Sequence, residues 1–272
     1  MCELFAMSSR LPTEVRSSLE AFARHGGLEG PHKDGWGLAY YADEDVRLVK
    51  ESEAASGSEC MRFIHDHPFV SGVVISHIRK GTQGRMAMKN CQPFARELGG
   101  RMHVFAHNGD LDMVRLRARM ALRQFHPVGE TDSEYAFCAM LERLRPLWLR
   151  GGLPALAERF AVVARFAAAL RPLGPANFVY SDGDALFLHG HKRKQGDGGP
   201  PTPPGLHVLE RHCDPEQNVI LAASVPLTDE PGWRALAEGE LIVAQHGRVL
   251  DYLAETSRLF CSYSSRPISP RA

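Results

Sequence analysis

The sequence predicts an α+β layered domain built on largely antiparallel sheets. Strand-like runs come in two groups with two long helical segments between them, instead of the regular strand–helix alternation of a parallel sheet. No internal repeat is visible at any period. The chain has 272 residues, 44% of them hydrophobic, which is enough for a substantial core. No linker separates two independent units, so a single domain spanning residues 2–272 is expected.

The elements follow in order. Val15, Leu19, Phe22 and Ala23 fall at helical spacing within Pro12–Arg24, and Gly26-Gly27 stops that segment. Strands are expected at Trp36–Tyr41 and Val46–Lys50, parted by the acidic turn Asp43-Glu44-Asp45. Ser58–His67 reads as a helix and Val70–Ile78 as a strand rich in β-branched residues. Met102–Ala106 is another strand. The long helices are placed at Asp132–Leu149 and Leu153–Leu170. Strands recur at Asn177–Tyr180, Ala185–Leu188, Leu206–Leu209, Val219–Ala223, Leu241–Ala244 and Val249–Tyr252. His191–Gly205 is polar, basic and rich in Gly and Pro, and is expected to be a mobile loop in preference to a basic contact for nucleic acid or a partner. The tail from Ser262 to Ala272, with Pro267 and Pro270, is expected to fray.

Composition excludes several classes of function. Lys plus Arg totals 32 and Asp plus Glu totals 32, so no net charge draws the chain to nucleic acid or anionic lipid. No apolar run reaches the roughly 18 residues of a membrane span. The longest, Phe160–Leu170, is broken by Arg165 and reads as a buried or amphipathic helix. The opening MCELFAMSSR lacks the basic start, apolar middle and cleavage site of a secretory signal, so a soluble cytoplasmic protein is expected. Six scattered cysteines form no CxxC pair, which argues against both a disulfide framework and a zinc ribbon. Most of them read as core filler.

Cys2 has a second reading. Initiator methionine is normally removed when the next residue is small, and the chain would then begin with a thiol beside a free α-amine. That amine has a pKa near roughly 8, against about 10.4 for lysine, and so can serve as the nucleophile's base. The plain alternative is an accidental buried cysteine. In HIRKGTQG, His77–Gly84, a strand end would deliver Arg79 as a two-toothed grip on a carboxylate, with Thr82, Gly81 and Gly84 letting backbone approach a ligand. An ordinary surface turn fits equally. In FAHNGDL, Phe105–Leu111, the Asn108-Gly109 pair is either a hairpin turn or an oxyanion-binding pair. In GETDSEYAF, Gly129–Phe137, Thr131 or Asp132 looks like a helix N-cap, and an aspartate there can also bind an ammonium group. The pairs His65/His67, His189/His191 and His103/His107 lack a third ligand at a convincing interval, so no metal is expected. Arg115, Arg117, Arg119 and Arg123 read as a solvated helix face.

Taken in order, Met-Cys, R-x-x-T-x-G, H-N-G and T-D-S-E resemble the glutaminase domain of the class II glutamine amidotransferases, a family of N-terminal-nucleophile (Ntn) hydrolases. MCELFAMSS, DGWGLAYY at Asp34–Tyr41 and the segment Ala223–Ala244 are similar to its stand-alone, YafJ-like branch. The resemblance implies a four-layer αββα sandwich and no cofactor. It implies Cys2 as the nucleophile, Asn108 and Gly109 as the oxyanion hole, Arg79 on the substrate α-carboxylate, Thr82 lining the pocket and Asp132 on the α-amine. Lys80 and Gln83 depart from other branches of the family, in which an aromatic residue often follows the arginine and a histidine follows the threonine. The implied substrate is glutamine or another γ-glutamyl amide. One alternative supplies ammonia to a separate acceptor or synthase subunit, another hydrolyses a larger γ-glutamyl compound of the ergothioneine-pathway or peptide type, and a third is an idle regulatory subunit.

Overall fold

The computed structural model describes residues 2–195 and 199–250. Its elements are β1 (Glu3–Thr13), α1 (Arg16–His25), β2 (Trp36–Ala42), β3 (Asp45–Glu51), α2 (Glu59–Asp66), β4 (Ser71–Ile78), β5 (Phe94–Leu98) and β6 (Arg101–Gly109). Then come α3 (Met113–Arg119), α4 (Asp132–Trp148), α5 (Leu156–Leu170), β7 (Ala176–Ser181), β8 (Leu186–His189) and β9 (His207–Asp214). β10 (Gln217–Ala223), β11 (Arg234–Ala235), β12 (Leu241–Gln245) and β13 (Arg248–Leu250) complete the order.

The strands form two sheets, ordered β11-β9-β10-β1-β4-β2-β3 and β13-β12-β8-β7-β6-β5. Neighbouring strands run antiparallel in both. Side-chain alternation shows how they stack. In β1, Leu4 and Ala6 join the apolar cluster that also holds Val104 and Ala106 of β6, so this layer lies between the sheets. Phe5 and Met7 point the other way, onto Leu19 and Phe22 of α1. On the far side of the second sheet, Phe105 and Phe178 pack under Phe137 of α4 and Phe166 of α5. Three apolar layers therefore separate four structural ones, helix, sheet, sheet and helix. A strand buried on both faces reads as a continuous apolar run, as LFAM at Leu4–Met7 does.

Helix ends follow local chemistry. The Ser58 hydroxyl caps α2 by accepting the Met61 N–H at 2.9 Å. In α5 the buried set Phe160, Val163, Phe166, Ala167 and Leu170 makes one stripe, while Arg165 stays exposed. Arg159 at its start is buried but paired, with Asp182 at 2.7 Å and Asp184 at 2.6 Å.

The differences from the sequence reading have physical causes. β1 runs on through Pro12 and Thr13, so the first helix begins at Arg16 and not at Pro12. Proline is tolerated where a strand leaves its ladder. α5 starts at Leu156, three residues later than expected. β5, α3 and β11 are short and carry little periodic signal. Arg115, Arg117, Arg119 and Arg123 are exposed, as expected, although Arg123 lies beyond α3. Asn108-Gly109 is no hairpin turn: both residues stay in β6, opposite Asn177 and Ala176, and the chain continues toward α3. Within 191–205, His191 and Arg193 are buried and Arg193 bridges to Thr202. Tyr252 and the 262–272 tail lie outside the described residues.

Candidate active site

Cys2 immediately precedes β1, two residues before Leu4. Its Sγ lies 3.3 Å from the Lys80 N–H and 3.4 Å from the Lys80 carbonyl, just past the end of β4. Burial pushes the Cys2 thiol up. The Lys80 N–H and the nearby Arg79 charge oppose that push, and Asp132 adds to it.

Cys2, Arg79, Thr82, Gly109 and Asp132 line one narrow cleft, of about 20 Å³. Asn108 does not line it. Its side chain is fully buried, one residue from Gly109, with Nδ2 3.1 Å from Ser224 Oγ and Oδ1 without a partner among the described residues.

The loop after β4 is held by its own arginine. Arg79, 3% exposed, donates from Nη1 to the Asp34 carbonyl and from Nη2 to the Gln83 and Gly84 carbonyls. Every two-toothed guanidinium grip uses Nη2, so the grip expected for a substrate carboxylate is here taken up by main chain. Asp34 completes the clasp by accepting the Gly81 N–H at 2.7 Å, which gives the DGWGLAYY segment its place in the site. A Cβ on Gly81 would lie 3.2 Å from the guanidinium, so glycine lets the loop fold directly over it. Gln83 reaches across to Asp110 at 2.6 Å, linking this loop to the end of β6.

Thr131, not Asp132, caps α4: its hydroxyl accepts the Glu134 N–H at 3.2 Å. Asp132 is the first helical residue, 4% exposed, and accepts the Leu111 N–H at 2.8 Å. Burial raises its pKa, against the opposing pull of His107 and the Leu111 N–H. Gly109 is sterically fixed. A Cβ there would sit 1.9 Å from the Pro175 carbonyl oxygen and 2.5 Å from His107 Nε2.

The family model described as glutamine amidotransferases class-II matches residues 1–197. This chain belongs to the class-II glutamine amidotransferases. It is 34% identical over 257 residues to YafJ of Escherichia coli (strain K12), a glutamine amidotransferase by name, covering 88% of this chain and 96% of that one. A glutamine amidotransferase by name from Haemophilus influenzae is 31% identical, covering 91% and 85%. The 2.0 Å crystal structure of a Pseudomonas aeruginosa PA01 protein, described as a predicted glutamine amidotransferase, superposes with a TM-score of 0.65 at 30% identity. It covers 92% of this chain and 99% of the other. The phosphoribosylpyrophosphate amidotransferase of B. subtilis has a TM-score of 0.61 at 15% identity, over 92% of this chain and 48% of that one, which shows a shared fold.

This amidotransferase cleft also holds residues that sequence reasoning missed. His107 and Ser133 line it, joined by a 2.9 Å hydrogen bond between His107 Nδ1 and Ser133 Oγ. Burial lowers the His107 pKa, and Nε2 is unpartnered among the described residues. Gln92 lines it too, and its side-chain amide exchanges two bonds with the His107 backbone at 2.7 and 3.1 Å. The H-N-G motif marked the position of His107, but spacing to His103 suggested only a metal pair. His103 bonds Tyr180 Oη and the Leu98 carbonyl instead. A larger apolar groove between α1 and α2, lined by Leu19, Met61, Ile64 and Phe69, carries none of the cleft's residues.

Proposed function

We propose that this chain hydrolyses the side-chain amide of glutamine or a related γ-glutamyl amide through its N-terminal cysteine. The observation that carries the reading is the convergence of Cys2, Arg79, Gly109 and Asp132 on one cleft from four separate chain segments. Cys2 Sγ attacks the amide carbonyl carbon, and its proton passes to the α-amine of a chain beginning at Cys2. The resulting oxyanion is stabilised by the Gly109 N–H and the Asn108 amide. When the C–N bond breaks, the α-amine returns the proton to the departing ammonia or amine and a thioester remains. Water then adds to the thioester carbonyl, releasing glutamate and restoring the thiol. Asp132 holds the substrate ammonium group. Arg79 supplies positive charge for the carboxylate while holding the 81–84 loop, and Thr82 forms part of the wall.

Ammonia supply to a separate acceptor subunit and hydrolysis of a larger γ-glutamyl compound differ only in what leaves. A panel of γ-glutamyl amides separates the two. A reduced Cys2 thiol fits a cytoplasmic setting, and no helix among the described residues is long and apolar enough to cross a membrane. The test is trapping with a glutamine-like diazoketone followed by peptide mass spectrometry. One adduct on Cys2, suppressed by excess glutamine, is the expected result. Labelling elsewhere, or labelling of Cys2 that glutamine does not protect against, would overturn the reading.

A further inference from the structure

Ser224 closes the ladder between β10 and β1 in an unusual way. Its N–H donates to the Leu4 carbonyl at 3.0 Å, as an antiparallel partner should. The return bond does not go to its own carbonyl. The Leu4 N–H donates to Ser224 Oγ at 3.0 Å, while the Ser224 carbonyl turns away to accept Arg193 Nη1 at 2.9 Å. The hydroxyl, 1% exposed, is thereby placed between the strand that follows Cys2 and the Asn108 amide 3.1 Å away.

Proton accounting at this contact is incomplete with Asn108 Nδ2 facing Ser224. Oγ then receives two N–H donors, and its own proton has no acceptor among the described residues. Asn108 Oδ1 is equally without a donor. A half-turn of the amide pairs both groups: the hydroxyl donates to Oδ1 and still accepts from Leu4. Nδ2 then takes the buried place that Oδ1 held, one residue from the cleft-lining Gly109, a donor with no acceptor among the described residues until negative charge forms beside it.

We propose that Ser224 is the positioning residue of the oxyanion site, donating its hydroxyl proton to Asn108 Oδ1 and so presenting Nδ2 to the reacting carbonyl. The proposal rests on the amidohydrolase reading above. It also ties the oxyanion donor to the nucleophile's own strand, since one oxygen binds Leu4 and Asn108 together.

The test is steady-state hydrolysis of a γ-glutamyl amide that the wild type turns over, L-glutamine first. Ser224→Ala is expected to lower kcat by about 10- to 100-fold, a part of what loss of a whole oxyanion donor costs. KM should stay within about twofold, and Ser224→Thr, which keeps the hydroxyl, should recover most of the rate. In an Asn108→Ala background Ser224→Ala should cost almost nothing more. Wild-type kcat in Ser224→Ala, or an undiminished loss in the Asn108→Ala background, would overturn the proposal. A wild type that hydrolyses no γ-glutamyl amide would sink the reading of the site instead. The bond is then read by NMR, where the Asn108 side-chain amide resonances must move in Ser224→Ala and an unmoved pair refutes it.

Discussion

Asp132 stands one residue inside α4 and leaves capping to Thr131, so its carboxylate can be altered without touching the helix end. In Asp132→Asn the side-chain oxygen can still accept the Leu111 N–H, while the charge is gone. Because burial already disfavours that charge, thermal stability at pH 7 should hold or rise slightly. A hydrogen bond to a charged group is worth about 1.5–3 kcal/mol, so kcat/KM should fall roughly 10- to 150-fold. A large drop in melting temperature with near-normal activity would instead make Asp132 a structural residue. Arg79→Lys tests a different geometry. Lysine keeps the charge, but a single ammonium cannot span the Asp34, Gln83 and Gly84 carbonyls at once. KM for γ-glutamyl substrates is expected to rise about tenfold or more, and an unchanged KM would remove Arg79 from the site.

At the scale of the element, the end of β6 is packed so tightly that its last residue has no room for a side chain. Gly109→Ala would drive a Cβ into the Pro175 carbonyl and His107. Overpacking of this kind costs about 1–3 kcal/mol, which for a chain of this size lowers the melting temperature by roughly 2–12 °C. Activity should drop further than stability, at least about 100-fold, because the oxyanion N–H moves with the strand; wild-type kcat would refute its role. The sequence reading reached this strand but ended it at Ala106, since the polar His107-Asn108-Gly109 breaks the apolar run. Those residues remain in the sheet because β7 pairs with them and because Asn177 Nδ2 donates to the Asn108 carbonyl at 2.9 Å. Long periodic elements such as α4 were legible, and so were the motif residues at strand and helix ends. What was hidden depends on contacts distant in sequence: β1, whose apolar run Leu4–Met7 lacks alternation, the Arg79 clasp on Asp34, and Ser224, which sits 116 positions from Asn108.

Across the whole molecule, the chain's first strand is tied to its surroundings by charge. Glu3 is buried and bonds His25 of α1 at 2.8 Å and Arg193 at 3.3 Å. Burial pushes the Glu3 carboxyl up, but the His25 bond and the His32 and Arg193 charges outweigh it and hold the group below 4.5. The Glu3 bond, stronger than the opposing effect of burial, raises His25 above 6.5. The raised His25 stabilises the fold fully below 6.5 and loses that effect as pH rises through its folded value. The lowered Glu3 stabilises above 4.5 and loses that effect as pH falls through its own. The melting-temperature gap between wild type and Glu3→Gln should therefore peak between pH 4.5 and 6.5 and shrink on both sides. A gap independent of pH would show that the couple does not titrate as described. The same strand start carries the central chemical claim, that the base for Cys2 is its own α-amine. The direct measurement compares γ-glutamyl amide hydrolysis by a chain beginning at Cys2 with that of an N-terminally extended chain, each confirmed by intact mass, with a C-terminally tagged chain as control. Activity in the first and third and none in the extended chain is the predicted result, because an amide nitrogen has no basic lone pair. Full activity in the extended chain would contradict the mechanism.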